Sequence, residues 1–170
     1  DAALLAEAAA SAGVSVSISV PSVDPAVVRR TEPGTAPPRQ RLRALERLAA
    51  AGVRAGVLMA PVLPGISDGE ASLAATVRAA RDAGAAFLLV GVLHLTPGTR
   101  EHFLEALERD WPELLPRYLE LYRDRSHLPA ALVGPVAGRV AALRTAAGIS
   151  DERPARPVET ARPRQLSLSL

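Results

Sequence analysis

The sequence predicts an α/β fold with a parallel sheet, the C-terminal part of a larger βα barrel, followed by a helical region. Three observations carry this expectation. The first is a junction that occurs three times, at Ala12-Gly13-Val14, Ala51-Gly52-Val53 and Ala83-Gly84-Ala85. Each closes an Ala/Arg-rich helical stretch and opens an apolar run. Glycine just past a helix supplies the left-handed conformation that stops it, and a repeated helix–turn–strand unit is the grammar of a parallel sheet. The second is the alternation over residues 14–20. Val14, Val16, Ile18 and Val20 fall on one face and Ser15, Ser17 and Ser19 on the other, which predicts valines beneath helices and serines toward a lumen. The third is a shortfall. Only three such strands are legible in 170 residues, whereas a full barrel needs eight βα units and about 250 residues. Half of the sheet is therefore expected upstream, and the start at Asp1 without Met, inside a helical pattern, fits a start within a folded unit. A free-standing three-layer sandwich is the alternative.

The remaining elements follow in order. The second and third strands are expected at residues 54–60 and 87–95. Leu42, Leu45 and Leu48 mark an apolar stripe on a helix over 38–51, and Leu73, Val77 and Ala80 mark another over 68–83. Ser67 or Asp68 can cap the latter, with Glu70 in its first turn. Beyond the third strand the pattern changes to successive helices at 101–109, 113–125 and 129–147, the last stopped by Gly148. The expected organisation is a half-barrel over 1–100, a helical extension over 101–148, and a disordered Pro/Arg-rich tail over 149–170.

Composition narrows the function classes. Apolar residues make up 48% of the chain, too many for a disordered protein. No apolar run reaches the roughly 20 residues that span a bilayer, and the first residues lack the basic start of a signal peptide. There is no cysteine, so a disulfide framework and a thiolate-held metal on this chain are excluded, and a cytoplasmic location is the expectation. All 20 basic residues are Arg, and the formal charge is only +2. The high pI is better read as ordinary surface arginines than as a nucleic-acid footprint. The absence of Lys counts against a Schiff-base aldolase barrel.

Ligands in parallel βα folds sit at the C-terminal ends of the strands. Three loops lie there on this reading: Pro21-Ser22-Val23-Asp24 with Arg29 to Thr35, then Ala60 to Asp68, then Val92 to Gly98. All are rich in Pro and Gly and poor in charge. Such a rim suits a ligand held by backbone hydrogen bonds and apolar contact, as adenine would be, and offers no paired carboxylates or Ser-His-Asp set. His94 is either a ligand contact or a hydrogen-bonded structural residue. Asp24 and Glu32 could hold a ribose or pair with Arg29 or Arg41. Trp111, Tyr118 and Tyr122 read as core in preference to base-stacking platforms.

The ordered segments Ser17-Ile18-Ser19-Val20, Asp24-Pro25, Glu32-Pro33-Gly34-Thr35-Ala36-Pro37, Arg41-Leu42, Gly56 to Gly65 and His94-Leu95-Thr96-Pro97-Gly98 together resemble the radical S-adenosylmethionine superfamily. Within it they are most similar to the spore-photoproduct-lyase-like (DNA repair photolyase-like) group. In that group a Thr-Pro step follows the Glu; here Ala36 stands before Pro37, displacing it by one. The resemblance implies a partial (βα)6 TIM-like barrel. A [4Fe–4S] cluster would cleave S-adenosyl-L-methionine to a 5′-deoxyadenosyl radical in lyase-like chemistry, with DNA lesions among the candidate substrates. The three-cysteine loop that holds the cluster would lie on a missing N-terminal half, so this chain alone should be inactive. By position the resemblance places Ser17 and Ser19 toward the ribose or methionine moiety. It places the turn containing Pro61 and Gly65, together with His94, toward the adenine. Arg41 would meet the methionine carboxylate or pair with Glu32.

The end of the chain carries a separate signal. Gln165-Leu166-Ser167-Leu168-Ser169-Leu170 matches the Gln-Leu-x-Leu-x-Leu type of motif that docks on bacterial DNA sliding clamps, with Gln165 to hydrogen-bond and Leu166, Leu168 and Leu170 to fill an apolar pocket. The alternative to the enzyme reading is accordingly a non-catalytic nucleic-acid- or clamp-associated module.

Overall fold

The computed structural model describes residues 2–150. Helix α1 (Ala2–Ala12) leads into β1 (Ser15–Ser19). Helices α2 (Pro25–Thr31) and α3 (Pro38–Ala50) precede β2 (Arg54–Val62), and α4 (Glu70–Asp82) precedes β3 (Phe87–Val92). Then come α5 (Thr99–Asp110), a 3-10 turn (Pro112–Leu114), α6 (Leu115–Leu121) and α7 (Ala130–Ala146). The strands form one open parallel sheet in the order β1-β2-β3. The expected α/β class with a parallel sheet is therefore present. The three junction glycines, Gly13, Gly52 and Gly84, all have positive φ, as the left-handed stop requires.

The register fixes two unlike faces. Val16 pairs with Ala55, Ile18 with Val57, Val57 with Leu88 and Met59 with Val90. Ala55, Val57, Met59 and Leu88 join Leu45, Leu48, Leu73, Val77, Ala80, Val136 and Val140 in the main core, beneath α3, α4 and α7, and the partly buried Val16, Ile18 and Val90 pack against it. On the opposite face lie Ser15, Ser17 and Ser19, then Gly56, Leu58 and Ala60, then Phe87, Leu89 and Gly91. Leu58 and Leu89 are half-exposed there, as are all three serines. Valine and isoleucine under the helices, with serine opposite, is the arrangement expected from the alternation. The helical cover thus lies chiefly on one side of the sheet, and the three-layer alternative does not describe residues 2–150.

A second core caps the C-terminal ends of β2 and β3. Leu63, Leu93, Leu95, Leu107, Tyr118 and Tyr122 are buried together, with Phe103, Trp111 and Leu114 packed against them. Tyr118 and Tyr122 are fully buried, as expected for core residues. Their hydroxyls donate to Pro64 O at 2.8 Å and Leu93 O at 2.6 Å, so α6 grips both strand-end loops by directed bonds as well as by apolar contact.

Several boundaries differ from expectation. Residues 25–31, expected as loop, form α2. Asp24 caps it, its Oδ1 accepting from Ala26 N at 2.8 Å and Val27 N at 3.4 Å, with Pro25 at the first position. Neither Ser67 nor Asp68 caps α4, whose N-cap is Gly69. Both side chains instead close the preceding turn: Ser67 Oγ accepts from Leu63 N at 2.9 Å and Asp68 Oδ1 from Gly65 N at 2.8 Å. Local backbone donors compete with the helix end for such acceptors. Strand β2 runs to Val62 through an irregularity between Met59 and Val62 that contains the cis Ala60-Pro61 bond. Strand β3 ends at Val92; Leu93 N still reaches across to Val62 O, and Leu95 N leaves the sheet for Ser126 O. The single helix expected over 113–125 is a 3-10 turn followed by α6, with a proline near the start of each. Ile149 and Ser150, expected at the start of the tail, belong to the fold: Ile149 is buried in the main core and Ser150 forms a parallel bridge with Phe87 where β3 begins.

Candidate functional site

The strand ends converge on a small pocket of about 150 Å³. Pro21 and Ser22 reach it from β1, Pro61, Leu63 and Ser67 from β2, and Leu93 from β3. Helix α2 closes one side with Val27, Val28 and Thr31, and Phe103 of α5 another. The pocket therefore sits where ligands bind in parallel βα folds. Its lining is mainly apolar. Two buried hydroxyls punctuate it, Ser22 at 1% and Ser67 at 2% exposure. Ser22 Oγ accepts from Asp24 N at 3.1 Å and Ser67 Oγ from Leu63 N. Each hydroxyl proton remains available to a ligand, because a serine both donates and accepts. The volume is below the roughly 300–1,000 Å³ of drug-sized sites, so the pocket takes a fragment or one end of a larger ligand.

Arg41 organises the rim beside it. Its Nε donates to Ala36 O at 2.7 Å, Nη1 to Ser19 O at 3.0 Å and Nη2 to Thr35 Oγ1 at 2.7 Å, and it forms an ion pair with Glu32. The planar fork of donors suits this spread of acceptors. It ties the turn after α2 to the end of β1 and fixes Glu32, a pocket-lining residue. Of the two roles open to Arg41, pairing with Glu32 is the one formed. Asp24 is engaged as the cap of α2, not with Arg29 or Arg41.

The other expected residues divide into two groups. Pro61 lines the pocket. Ser17 and Ser19 lie on the half-exposed sheet face, and Ser19 Oγ donates to Ala60 O across to β2 at 3.2 Å. Gly65 and His94 lie toward the helical cap. A Cβ on Gly65 would come within 3.4 Å of Arg117 and 3.5 Å of Leu114. His94 is exposed and stacks on His127, with ring centroids 5.1 Å apart and planes 4° from parallel. Neither joins the pocket lining. Ser22 and Ser67 lie on the loops expected at the strand ends but are not among the expected site residues, and sequence reasoning missed Phe103. An Asp-Pro step before Val27-Val28, with Arg29 and Arg30 at the far end, was the signal for α2 and hence for the pocket wall. The motif Gln165 to Leu170 lies outside the described residues. Among the described residues, no helix is long and apolar enough to cross a membrane.

No protein-family profile and no solved structure matches the sequence. Three uncharacterized proteins do, one from Mycobacterium bovis and two from strains of Mycobacterium tuberculosis, each 39% identical over 155 residues. The alignment covers 91% of this chain and 46% of each relative, so the chain spans about half the length of the curated relatives it matches.

Proposed function

We propose that this chain is part of a radical S-adenosylmethionine enzyme, contributing strands and strand-end loops of a partial (βα)6 barrel. The observation that supports the reading is the two-sided chemistry of the sheet. Its apolar face is under helices, its Ser17/Ser19 face is half-exposed, and an apolar pocket with two hydroxyls lies at the C-terminal strand ends. A barrel lumen that receives S-adenosyl-L-methionine needs that disposition. When bound, a [4Fe–4S] cluster would supply the electron for reductive cleavage. No ligand set for it exists here, since the chain has no cysteine, and no step through the cluster is derived from these residues. What they offer is positioning. Ser17 and Ser19 present hydroxyls on the open face, Arg41 holds the rim, and the backbone around Pro61 and the Ser22 and Ser67 hydroxyls present polar groups to an otherwise apolar recess.

The test has two arms. The isolated chain should take up no stoichiometric iron on anaerobic reconstitution. A longer protein that contains it should turn brown and form 5′-deoxyadenosine from S-adenosyl-L-methionine and a reductant. In that protein Ser19→Ala should weaken cofactor binding by several-fold to about tenfold, the worth of one hydrogen bond of about 1–1.5 kcal/mol. A cluster on the isolated chain, or a longer protein that binds neither iron nor the cofactor, would overturn the reading.

A second proposal concerns partners. The Gln165-Leu166-x-Leu168-x-Leu170 pattern supports docking on a bacterial DNA sliding clamp, which would bring the protein to DNA.

A further inference from the structure

Beside the strand-end pocket, a second groove of about 380 Å³ runs between α2 and α5. Its volume lies within the roughly 300–1,000 Å³ of small-molecule sites. Thr31 and Phe103 line both cavities, so the groove and the pocket are neighbours. The groove combines aromatic surface with cationic edges. Phe103 and Trp111 are half-buried in it, and Arg30, His102 and Arg109 are exposed along it.

The Arg30 guanidinium lies over the Trp111 ring, 5.2 Å from its centroid. Its one hydrogen bond, at 3.4 Å, goes to the backbone carbonyl of Asp110. A guanidinium packed over a ring can still turn its remaining donors to a planar anion. No carboxylate pairs with Arg30 among the described residues. Arg109 is already held by the carboxylate of Asp110 at 2.8 Å, and Glu105 adds one negative charge to the same lining. The groove therefore suits a single phosphate in preference to a polyphosphate.

We propose that this groove binds a nucleoside monophosphate unit. The base lies against the Arg30–Trp111 stack, as bases stack on arginine planes and aromatic rings, and the phosphate sits on the Arg30 edge. The unit belongs either to a free nucleotide or to a single-stranded oligonucleotide. Either would stand with one side toward the strand-end pocket. The proposal rests on the groove alone and does not require the cofactor reading.

Trp111 is the only tryptophan in the chain, so its fluorescence reports this groove. The purified chain is titrated with deoxyguanosine monophosphate, with deoxyguanosine, with inorganic phosphate and with a short single-stranded oligodeoxynucleotide. The nucleotide or the oligonucleotide should quench saturably, while the nucleoside and phosphate alone act weakly. Arg30→Gln should weaken binding about tenfold, as loss of a charge-assisted contact does. Glu105→Gln should tighten it by about two- to threefold, a gain that misfolding cannot mimic. Arg81→Gln, on a distant exposed ion pair, should change nothing. An oligonucleotide that binds more tightly than the free nucleotide, with steep salt dependence, identifies the strand as the source; equal affinities identify the free nucleotide. No quenching by either, equal quenching by the nucleoside, or an Arg81→Gln effect matching that of Arg30→Gln would overturn the proposal.

Discussion

Tyr122 carries one bond that fixes the geometry of the third strand end. Its hydroxyl donates to Leu93 O at 2.6 Å, at the residue where β3 leaves the sheet, and His94 follows directly. Burial pushes its hydroxyl pKa up from 10 to about 12, because the phenolate would lose its hydration. Tyr118 is shifted in the same direction, by burial first and by neighbouring Tyr122 next. A raised folded-state pKa gives a stability contribution that is full below the unfolded value near 10 and is lost as pH climbs through the folded value. The contribution of Tyr122 should therefore be intact to about pH 10 and be lost between pH 10 and 12, and Tyr118 adds to the alkaline loss. Tyr122→Phe should cost about 1 kcal/mol at neutral pH, the net worth of a hydrogen bond, yet lessen that alkaline loss, leaving the share of Tyr118. Denaturant melts at neutral and alkaline pH check both signs. An unchanged alkaline slope in the variant would move the titration elsewhere. Neither bond was legible in the sequence. Tyr118 and Tyr122 could be assigned to the core from their helical spacing, but their carbonyl partners lie 54 and 29 residues away. For Arg41 the sequence offered both candidate roles, and the pair with Glu32 forms because the fold brings Ser19 O, Ala36 O and Glu32 within reach of one guanidinium.

At the scale of elements, the helix–glycine–strand junctions were legible because each rule acts within a few residues. A left-handed stop needs glycine locally, and a strand facing helices on one side shows its period of two in the chain itself. What failed was whatever depended on a choice of partner. Ser67 and Asp68 had two sets of backbone donors in range and took those of the turn. The seven-residue α2 is too short to show an apolar stripe. The same local–distant divide applies to Gly56, which reads as an unremarkable strand glycine. In the sheet it lies under Phe87, and a Cβ there would stand 2.5 Å from both the ring and the backbone oxygen of Phe87. Gly56→Ala should therefore destabilise the protein by about 1–3 kcal/mol, as overpacking does. Adding Phe87→Ala should recover only part of the strain, since the carbonyl remains. The measurement is a double-mutant cycle from denaturant unfolding. Full additivity of the two changes would show that the ring and the new methyl do not meet.

For the whole molecule, the half-exposed face is the feature that the chain does not explain by itself. Parallel sheets occur almost only with both faces covered, yet Leu58, Leu89 and three serines share a face that is half-open here. The barrel proposal accounts for it: further strands would pair at the outer edges of β1 and β3, and closure of the sheet would turn this face inward. The clamp proposal belongs to the same scale, because it concerns where the molecule is held and not what its pocket does. Three leucine side chains would each contribute about 1.5–3 kcal/mol of transfer free energy when buried. Ordering an extended six-residue segment and losing its free motion offset much of that. The net affinity should be on the order of micromolar, about −8 kcal/mol. A peptide of residues 151–170 titrated into a purified bacterial clamp by calorimetry should show one saturable event and compete with a known clamp ligand. Replacing Gln165 and Leu168 with Ala should abolish that event, while the same double change in the whole chain leaves thermal unfolding where it was, since no described core residue lies beyond Ile149. Absence of heat and of competition at high micromolar peptide would remove the clamp from the list of partners.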